Sequence, residues 1–323
     1  YHQRYRRRVR DYLLASLEAL LPWAQRMPAI YNAVVANPWV GRLTERSLGV
    51  SNLPVLSRPG VDAYARQLNV RTFLSGTAVS EKTVYLLQDP FNRYFEASVF
   101  QAAMRLLLAL GYEPVLLPYH PSGKPQHVAG FLGRFHQTAK QQLAILKEAM
   151  STGAPMIALE PSVGLCLRDE YQETLGLNGD EIQVAMIQEW LVGELPGIEK
   201  QAESGLSFKL MIHCTEKSEL PSSGNDWQRI FQHLGADLSV EPSGCCGMAG
   251  VYGHQSEHAE RSKAIYDLSW RKPVESSDIP VLATGYSCRS QVRKQSAVEI
   301  EHPVQALANM LSRTTTSCRR PSG

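Results

Sequence analysis

From residue 83 onward, short apolar segments alternate with amphipathic ones, and this alternation constrains the fold more than any other feature of the chain. The apolar runs have the length of buried strands, whereas the segments between them place apolar residues at helical spacing. The predicted strands are 83–88, 114–118, 155–159, 206–213, 236–240 and 280–283, and the predicted helices are 95–110, 128–150, 225–234 and 257–270. Strands that alternate with helices predict an α/β fold with parallel sheets covered on both faces.

Two parts of this series match each other residue by residue. Residues 85–89 align with 210–214, and 158–163 align with 283–288, both at a shift of 125 positions. Between them, Pro121-Ser122-Gly123 corresponds to Pro242-Ser243-Gly244. Each landmark follows a predicted strand, which indicates a duplicated βαβ-type unit. We therefore expect a first unit at 79–200 and a second at 201–323, with parallel sheets in both.

The sequence of residues 1–78 lacks the regular alternation of strand-like and helix-like segments found in the rest of the chain. Apolar residues in 11–26 recur at helical spacing, and prolines interrupt the remainder of the segment. We expect a helical segment that links the two units to upstream domains, because the chain begins with Tyr1 instead of Met. The opening arginines suit either a solvated helix start or contact with a neighbouring domain; they are Arg4, Arg6, Arg7, Arg8 and Arg10.

Composition excludes several classes of protein. The 323 residues are 44% hydrophobic and 20% charged, which is typical of a packed globular protein. A formal charge of +2 supplies no broad basic field for nucleic acid, and no apolar run reaches the ~20 residues of a spanning helix. We expect a cytoplasmic protein without a transmembrane segment; peripheral attachment to the inner face of the membrane is the alternative location.

The cysteines are distributed unevenly between the two units. In the second unit, Cys214, the Cys245-Cys246 pair and Cys288 all follow predicted strands. Because the carboxyl ends of parallel strands meet at one edge of a sheet, we expect these four thiols to lie close together. In the first unit the matching positions are Asp89, Lys124/Pro125 and Val163, with Cys166 one helical turn further on. Cys166 is thus the only thiol that the first unit offers to this edge, and Cys318 receives no role.

Thiolates gathered from distant loops suit soft metals and iron–sulfur clusters. Structural zinc favours closely spaced cysteine pairs, which are missing here, and a nucleophilic or redox cysteine requires only one or two thiols. Buried free cysteines are the remaining alternative. His213 either tunes or ligates the cluster or caps a loop, and Arg289 either offsets cluster charge or lies on the surface.

These stretches resemble a known family. His213-Cys214, the segment from Cys245 to Gly250 (CCGMAG) and that from Gly285 to Gln291 (GYSCRSQ) resemble the CCG cysteine-rich module. This module occurs in heterodisulfide reductase and in the iron–sulfur parts of glycolate oxidase and anaerobic glycerol-3-phosphate dehydrogenase. Leu159-Glu160-Pro161-Ser162 and Glu301-His302-Pro303-Val304 are similar to the C-terminal region of the bacterial FAD/iron–sulfur D-2-hydroxyglutarate dehydrogenases, a family of FAD-linked oxidoreductases.

The resemblance implies an iron–sulfur cluster, either [4Fe–4S] or noncubane, bound by cysteines of this chain. The implied ligands are Cys214, Cys245, Cys246, Cys288 and Cys166, with His213 also at the cofactor. It further implies that FAD is bound by the parent enzyme and not by this chain, that the upstream FAD and ferredoxin-like domains are partners, and that a quinone or a flavoprotein accepts the electrons. The chain is then an electron-transfer module of a D-2-hydroxyacid dehydrogenase and is inactive alone.

The chain departs from the family pattern at three places. Pro121-Ser122-Gly123 stands where the CCG of the first unit would be, and Gly285 replaces the first cysteine of the later C-x-x-C pair. Val163 follows Glu-Pro-Ser where relatives carry cysteine. Two other functions therefore stay open: a metal-free scaffold that docks the flavin and ferredoxin domains, and a thiol–disulfide catalyst similar to heterodisulfide reductase.

Overall fold

A computed structural model describes residues 7–76, 78–179 and 181–317, with side chains up to residue 312. Arg4, Arg6 and Cys318 therefore lie outside the described residues. The described chain is an α/β protein with parallel sheets and a helical N-terminal part, as the sequence predicts. None of the helices in this described portion has the length and apolar character that a membrane crossing requires.

The first sheet contains five parallel strands in the order β1-β3-β2-β4-β5. These strands are β1 (Arg71–Thr72), β2 (Thr83–Leu86), β3 (Glu113–Leu116), β4 (Met156–Ala158) and β5 (Ala185–Met186). The strands β1 and β5 have two residues each and were not predicted, because a two-residue strand is too short to show alternation. Since β1 belongs to residues 1–78, part of the segment expected to be helical and linking completes the first sheet.

The second sheet has three parallel strands in the order β7-β6-β8. They are β6 (Leu206–Met211), β7 (Ala236–Val240) and β8 (Val281–Ala283). The central strand of each sheet comes first in its unit, and the next two strands pair on opposite sides of it, giving β3-β2-β4 and β7-β6-β8. The residues that match between the two units lie at the carboxyl ends of these strands. The match of 85–89 with 210–214 relates the ends of β2 and β6, and that of 158–163 with 283–288 relates the ends of β4 and β8.

Helices surround both sheets and also form the N-terminal part. Those of residues 1–78 are α1 (Val9–Ala15), α2 (Leu17–Ala24), α3 (Pro28–Ala36), α4 (Pro38–Leu48) and α5 (Val61–Gln67). Those of the first unit are α6 (Pro90–Tyr94), α7 (Ala97–Ala109), α8 (Lys124–Val128), α9 (Leu132–Met150), α10 (Pro161–Arg168), α11 (Glu170–Leu175) and α12 (Ile187–Glu194). Those of the second unit are α13 (Cys214–Glu219), α14 (Ser223–His233), α15 (Ala259–Ser269), α16 (Arg271–Glu275), α17 (Tyr286–Ser296) and α18 (Pro303–Ser317). Short 3-10 turns occupy Leu195–Gly197, Tyr252–His254 and Ser256–His258.

The two units share a hydrophobic core. Successive residues of β2 point to opposite faces of the sheet, so that Leu86 joins one apolar cluster and Tyr85 another. The cluster that contains Leu86 also contains Leu210 of β6 and Leu307 of α18. The C-terminal helix α18 packs on α7 of the first unit, and α12 packs on α14. Burial of these side chains makes the two units one packed structure.

The N-terminal part differs from the predicted single amphipathic helix at 11–26. It forms two helices, α1 and α2, that meet at Ser16. Leu20 and Trp23, which the helical spacing assigns to the buried face, are 50% and 64% exposed, whereas Glu18 is buried. The arginines of this region contact other parts of the chain, since Arg8 and Arg10 bind Glu257 of the second unit.

Candidate metal centre

Four cysteines stand at the carboxyl ends of the strands of the second sheet. Cys214 is the first residue of α13, directly after β6 and His213, and Cys245 and Cys246 lie in the loop that follows β7. Cys288 lies in the first turn of α17, just beyond β8. Parallel strands align their carboxyl ends at one edge, so this topology places all four thiols on the same side of the sheet.

The four thiols contact one another in a continuous series. Cys245 interacts with Cys214 and with Cys246, and Cys246 also interacts with Cys288, so that each thiol affects the ionisation of its neighbours. Cys246 and Cys288 are buried, whereas Cys214 and Cys245 are partly exposed, and all four are free thiols. One side of the thiol group is thus closed by the core and the other is open to an approaching partner.

The four thiols differ in their tendency to ionise. Interaction with Cys214 and Cys246 lowers the pKa of Cys245 well below its usual value, because it stabilises the Cys245 thiolate. The same interactions, together with burial, raise the pKa of Cys214 and of Cys246. A bound cation would favour ionisation of all four thiols.

The loop that carries Cys245 and Cys246 is held by α15 and its flanking residues. The backbone N–H of Gly247 donates to Cys245 Sγ at 3.3 Å, while Ser262 and Trp270 donate to the carbonyl oxygens of Gly247 and Gly244 at 2.8 and 3.0 Å. Gly247 has φ +86°, and a Cβ there would lie 2.3 Å from the carbonyl oxygen of Ser262. Only glycine fits this turn, which aims a backbone N–H at the sulfur.

His213 is buried between the two units and directly precedes Cys214. Its side chain makes no capping hydrogen bond to α13, and its Nδ1 has no hydrogen-bond partner. Burial lowers the pKa of His213, whereas the neighbouring charges of Glu160 and Cys245 act in the opposite direction. A neutral imidazole with a free nitrogen beside four thiols can accept a proton or bind a metal.

Cys166 lies apart from these four thiols. Cys166 lies on α10 and packs in the apolar cluster that contains Tyr171. Cys246 and Cys288 belong to a different cluster. Burial raises the pKa of the Cys166 thiol well above its usual value, and the carboxylate of Glu170 adds to this. The helical turn between Val163 and Cys166 directs the thiol into the core of the first unit.

Arg289 is buried and is not the surface residue that one interpretation of the sequence allowed. Its guanidinium donates to Glu96 at 2.7 Å, to Asn92 at 2.8 Å, and to the carbonyl oxygens of Ala283 and Thr284 at 3.0 Å. It thereby joins the start of α17 to the first unit, one residue after Cys288.

The loop of the first unit binds a carboxylate from the N-terminal part, Glu18, which the sequence analysis missed. Glu18 of α2 accepts hydrogen bonds from Ser122 Oγ at 2.6 Å and from the Gly123 N–H at 2.7 Å. Ser122-Gly123 is the counterpart of Ser243-Gly244, which precedes the cysteine pair. Burial raises the pKa of Glu18 to about 7, although both hydrogen bonds oppose this. The available signal was an acidic residue among apolar ones, with Leu14, Leu17 and Leu21 around it.

Two further buried carboxylates follow β2 and β4 and face the second unit. Asp89 caps α6 and accepts from the backbone and side-chain N–H groups of Asn92 at 2.8 and 2.9 Å. Glu160 accepts from Ser162 Oγ and from the backbone N–H of Tyr286, both at 2.8 Å. The loops of the first sheet therefore present acids where those of the second sheet present thiols.

The chain is similar over nearly its whole length to proteins of known name. It is 39% identical over 320 residues to D-2-hydroxyglutarate dehydrogenase of Escherichia coli K12, and 40% identical over 321 residues to that of Pantoea ananatis. Each alignment covers 96% of this chain but 31% of the relative, so the chain spans about a third of these proteins. A more distant relative is a subunit of the anaerobic glycerol-3-phosphate dehydrogenase of Escherichia coli K12, 23% identical and covered over 78% of its length.

Other comparisons are weaker. No protein-family model matches the chain. Among solved structures, a hypothetical protein from Helicobacter pylori has a TM-score of 0.45 at 14% identity, covering 77% of this chain and 54% of that one. By sequence, the chain is similar to named dehydrogenases and corresponds in length to about a third of D-2-hydroxyglutarate dehydrogenase.

Proposed function

We propose that Cys214, Cys245, Cys246 and Cys288 hold an iron–sulfur cluster, and that this chain is the electron-transfer module of an FAD-dependent D-2-hydroxyacid dehydrogenase. The observation that carries the proposal is the convergence of four mutually interacting thiols at the carboxyl ends of three neighbouring parallel strands. When bound, an iron–sulfur cluster supplies one-electron transfer.

The donor set fits such a cluster by its chemistry. Four cysteine thiolates are the usual ligands of iron–sulfur clusters, and soft thiolates select iron–sulfur or zinc over hard cations. The described residues contain no group of three or more His, Cys, Asp or Glu side chains arranged around a single metal ion. Structural zinc favours cysteine pairs with the C-x₂₋₄-C spacing, and the sequence of this chain lacks that spacing. The spacing therefore favours a cluster over one zinc ion.

Residues around the thiols have defined tasks under this proposal. The Gly247 N–H donates to Cys245 Sγ and so stabilises its thiolate, which is the form that binds metal. The buried Nδ1 of His213 has no partner and is free to bind or orient the cofactor. Cys214 and Cys245 are partly exposed and give the electron a short path to a partner at this face.

The identity of the parent enzyme is supported by the relatives. D-2-hydroxyglutarate dehydrogenases align with 96% of this chain, and this chain accounts for 31% of their length. We assign the oxidation of the hydroxy acid and the FAD to the remaining two thirds of such a protein, with its FAD and ferredoxin-like domains as partners. Electrons then pass from the flavin through this module to a quinone or another flavoprotein, and the first unit is a duplicate without its own cluster.

Iron and acid-labile sulfide, measured on anaerobically purified chain, test the proposal. We expect about four iron per chain with matching sulfide, and loss of both in a Cys245→Ser/Cys246→Ser variant. Cys166→Ser is the matched control, because Cys166 is a buried free thiol outside the group, and we expect it to keep its iron. Iron loss in Cys166→Ser would make that residue a ligand, as the family resemblance implies.

A thiol–disulfide catalyst is the second candidate, favoured by two interacting and partly exposed free thiols, Cys214 and Cys245. A thiolate beside three further thiols can attack a disulfide and be resolved by its neighbour. Iron-free protein that stays folded and reduces a disulfide substrate, with the activity lost in Cys245→Ser, would support this candidate over the cluster. Protein that is folded but holds no iron and reduces no disulfide would leave the remaining function, a metal-free scaffold that docks the flavin and ferredoxin domains.

A further inference from the structure

Lys217 connects two of the chain segments that carry the four thiols. It lies on α13, the helix that begins at Cys214, and its backbone N–H donates to the His213 carbonyl oxygen at 3.0 Å. Its ammonium group donates to the backbone carbonyl oxygen of Ser243 and, at 3.3 Å, to Ser243 Oγ. Ser243 lies two residues before Cys245 in the loop that follows β7. One side chain thus joins the helix of Cys214 to the loop of Cys245.

Other hydrogen bonds of this loop lead to a different helix. The backbone N–H of Gly244 donates to Ser269 Oγ at 2.9 Å, and the indole of Trp270 donates to the Gly244 carbonyl oxygen at 3.0 Å. Ser269 is the last residue of α15, which carries no cysteine, and Trp270 follows it. These bonds hold the loop against α15. Of the contacts named here, only that of Lys217 reaches the helix on which Cys214 lies.

The matching carbonyl oxygen of the first unit is also held by a side chain. Ser122 corresponds to Ser243, and its carbonyl oxygen accepts a hydrogen bond from the Tyr171 hydroxyl at 2.7 Å. Tyr171 lies on α11, whereas Lys217 lies on the helix that begins with Cys214. Both loops therefore have an anchor at this carbonyl oxygen, and in the second unit a thiol-bearing helix supplies it.

We propose that Lys217 is a positioning residue of the four-cysteine site, and that it holds the loop of Cys245 at the distance from Cys214 that a shared metal cofactor requires. This inference deepens the proposed iron–sulfur function and rests on it for the identity of the cofactor. Lys217 is not itself a ligand, because an ammonium group has three donors and no acceptor. Its hydrogen bond to the Ser243 carbonyl oxygen is charge-assisted and therefore stronger than a neutral one.

The experiment compares the wild-type chain with Lys217→Met and Lys217→Arg. Methionine retains a long apolar side chain but cannot donate a hydrogen bond, whereas arginine retains both the donor and the positive charge. Each iron-loaded chain is mixed with EDTA, and loss of the cluster is followed by visible absorbance. We expect Lys217→Met to lose its cluster faster than wild type, and Lys217→Arg to lose it at the wild-type rate.

Cadmium supplies a second readout that does not depend on the cluster. Cd²⁺ is a soft cation and binds thiolates, and its binding to the iron-free chain is followed by the ultraviolet absorbance of the cadmium–thiolate bonds. Groups that orient metal ligands contribute roughly 10- to 100-fold to metal affinity. We therefore expect Lys217→Met to bind Cd²⁺ at least about tenfold more weakly than wild type, and Lys217→Arg to restore the affinity.

Lys209→Met is the matched control. Lys209 lies on β6 and pairs with Glu241 at 3.4 Å, so this variant removes a lysine charge near the start of the same loop and leaves the Ser243 contact in place. We expect it to keep the wild-type affinity for Cd²⁺ and the wild-type rate of cluster loss. A merely structural role of Lys217 would instead predict similar losses in Lys217→Met and Lys209→Met.

Several results would overturn the inference. They are an unchanged Cd²⁺ affinity in Lys217→Met, equal losses in Lys217→Met and Lys209→Met, and a wild-type chain that binds no Cd²⁺. Lys217→Ala also removes the donor and replaces Lys217→Met if that protein does not fold. A wild-type chain that holds no iron would refute the cluster alone, since the cadmium titration tests Lys217 separately, so the two failures are distinguishable.

Discussion

Arg289 Nε lies 2.7 Å from Glu96 Oε2, and this ion pair crosses between the two units with both side chains buried. Arg289 follows Cys288 directly, and Glu96 lies just before α7. The residue after a proposed cluster ligand is thus fixed by the first unit, which has no thiol in the four-cysteine group. The first unit therefore supports the site of the second one structurally.

Loss of this ion pair should destabilise the whole chain. Arg289→Met leaves Glu96 and Asn92 buried without the guanidinium, and removal of one partner of a buried pair costs roughly 3–5 kcal/mol of unfolding free energy. Arg293→Met is the matched control, since Arg293 also contacts Glu96 but has a side chain 43% exposed. We expect that control to cost under ~1 kcal/mol. Denaturant unfolding measures the free energy of unfolding of both variants. Equal losses in the two would contradict the conclusion that the buried Arg289–Glu96 ion pair stabilises the chain more than the exposed Arg293 contact.

Glu18 should make stability depend on pH. Its pKa of about 7 in the folded chain lies above the usual value, so folding favours the protonated acid, and this contribution is lost as pH rises through about 7. The Glu18→Gln variant should therefore lose less stability than wild type between about pH 5 and about pH 8. Thermal unfolding at the two pH values gives the comparison.

Glu257→Gln is the control for that measurement. Its hydrogen bond with Arg10 lowers the pKa of Glu257 to about 2, so Glu257 stays ionised over the whole interval. Relative to wild type, the Glu257→Gln variant should lose the same free energy of unfolding at both pH values. If Glu18→Gln kept the wild-type dependence on pH, the burial argument for Glu18 would fail.

Gly247→Ala should disturb the cysteine loop. A Cβ at this position would meet the Ser262 carbonyl oxygen at 2.3 Å, in addition to the strain of a positive φ. Gly250→Ala shares the positive φ but has nothing within 4 Å of its Cβ, so it isolates the contact from the backbone strain. We expect Gly247→Ala to lose iron on purification and Gly250→Ala to keep it. Equal iron content in the two variants would show that the contact with Ser262 is unimportant.

Gly285→Ala should displace His213. A Cβ on Gly285 would lie 2.4 Å from Cδ2 of the imidazole, which fills the space above this glycine. Overpacking of this kind costs roughly 1–3 kcal/mol, and we expect it to alter the visible spectrum of the iron-loaded chain. Gly193→Ala on α12 has an open position for its Cβ and should leave the spectrum as in wild type. An unaltered spectrum in Gly285→Ala would exclude His213 from the cofactor.

Periodicity in the sequence predicts a helix or a strand correctly where the burial of its side chains follows the same period. The strand 236–240 is observed at the predicted bounds, because its apolar residues alternate with polar ones along one half-buried surface. The predicted helix 128–150 is observed as α9 from Leu132 to Met150, whereas residue 128 ends the separate helix α8 and residues 129–131 connect the two. The start of α9 depends on contacts that periodicity does not contain. Arg7, for example, donates to the Gly130 carbonyl oxygen at 2.7 Å from outside the unit.

The sequence alone determined the α/β class, the parallel strands and the placement of Cys214, Cys245, Cys246 and Cys288 at strand ends. These follow from local patterns and from the rule that parallel strands end at one edge. Only the tertiary structure decided that Glu18 turns inward, that Cys166 enters the core of the first unit and that Arg289 is buried. The buried carboxylate of Glu18 accepts its hydrogen bonds from Ser122 and Gly123, which lie more than a hundred residues away in the sequence. Such partners become neighbours only when the chain folds.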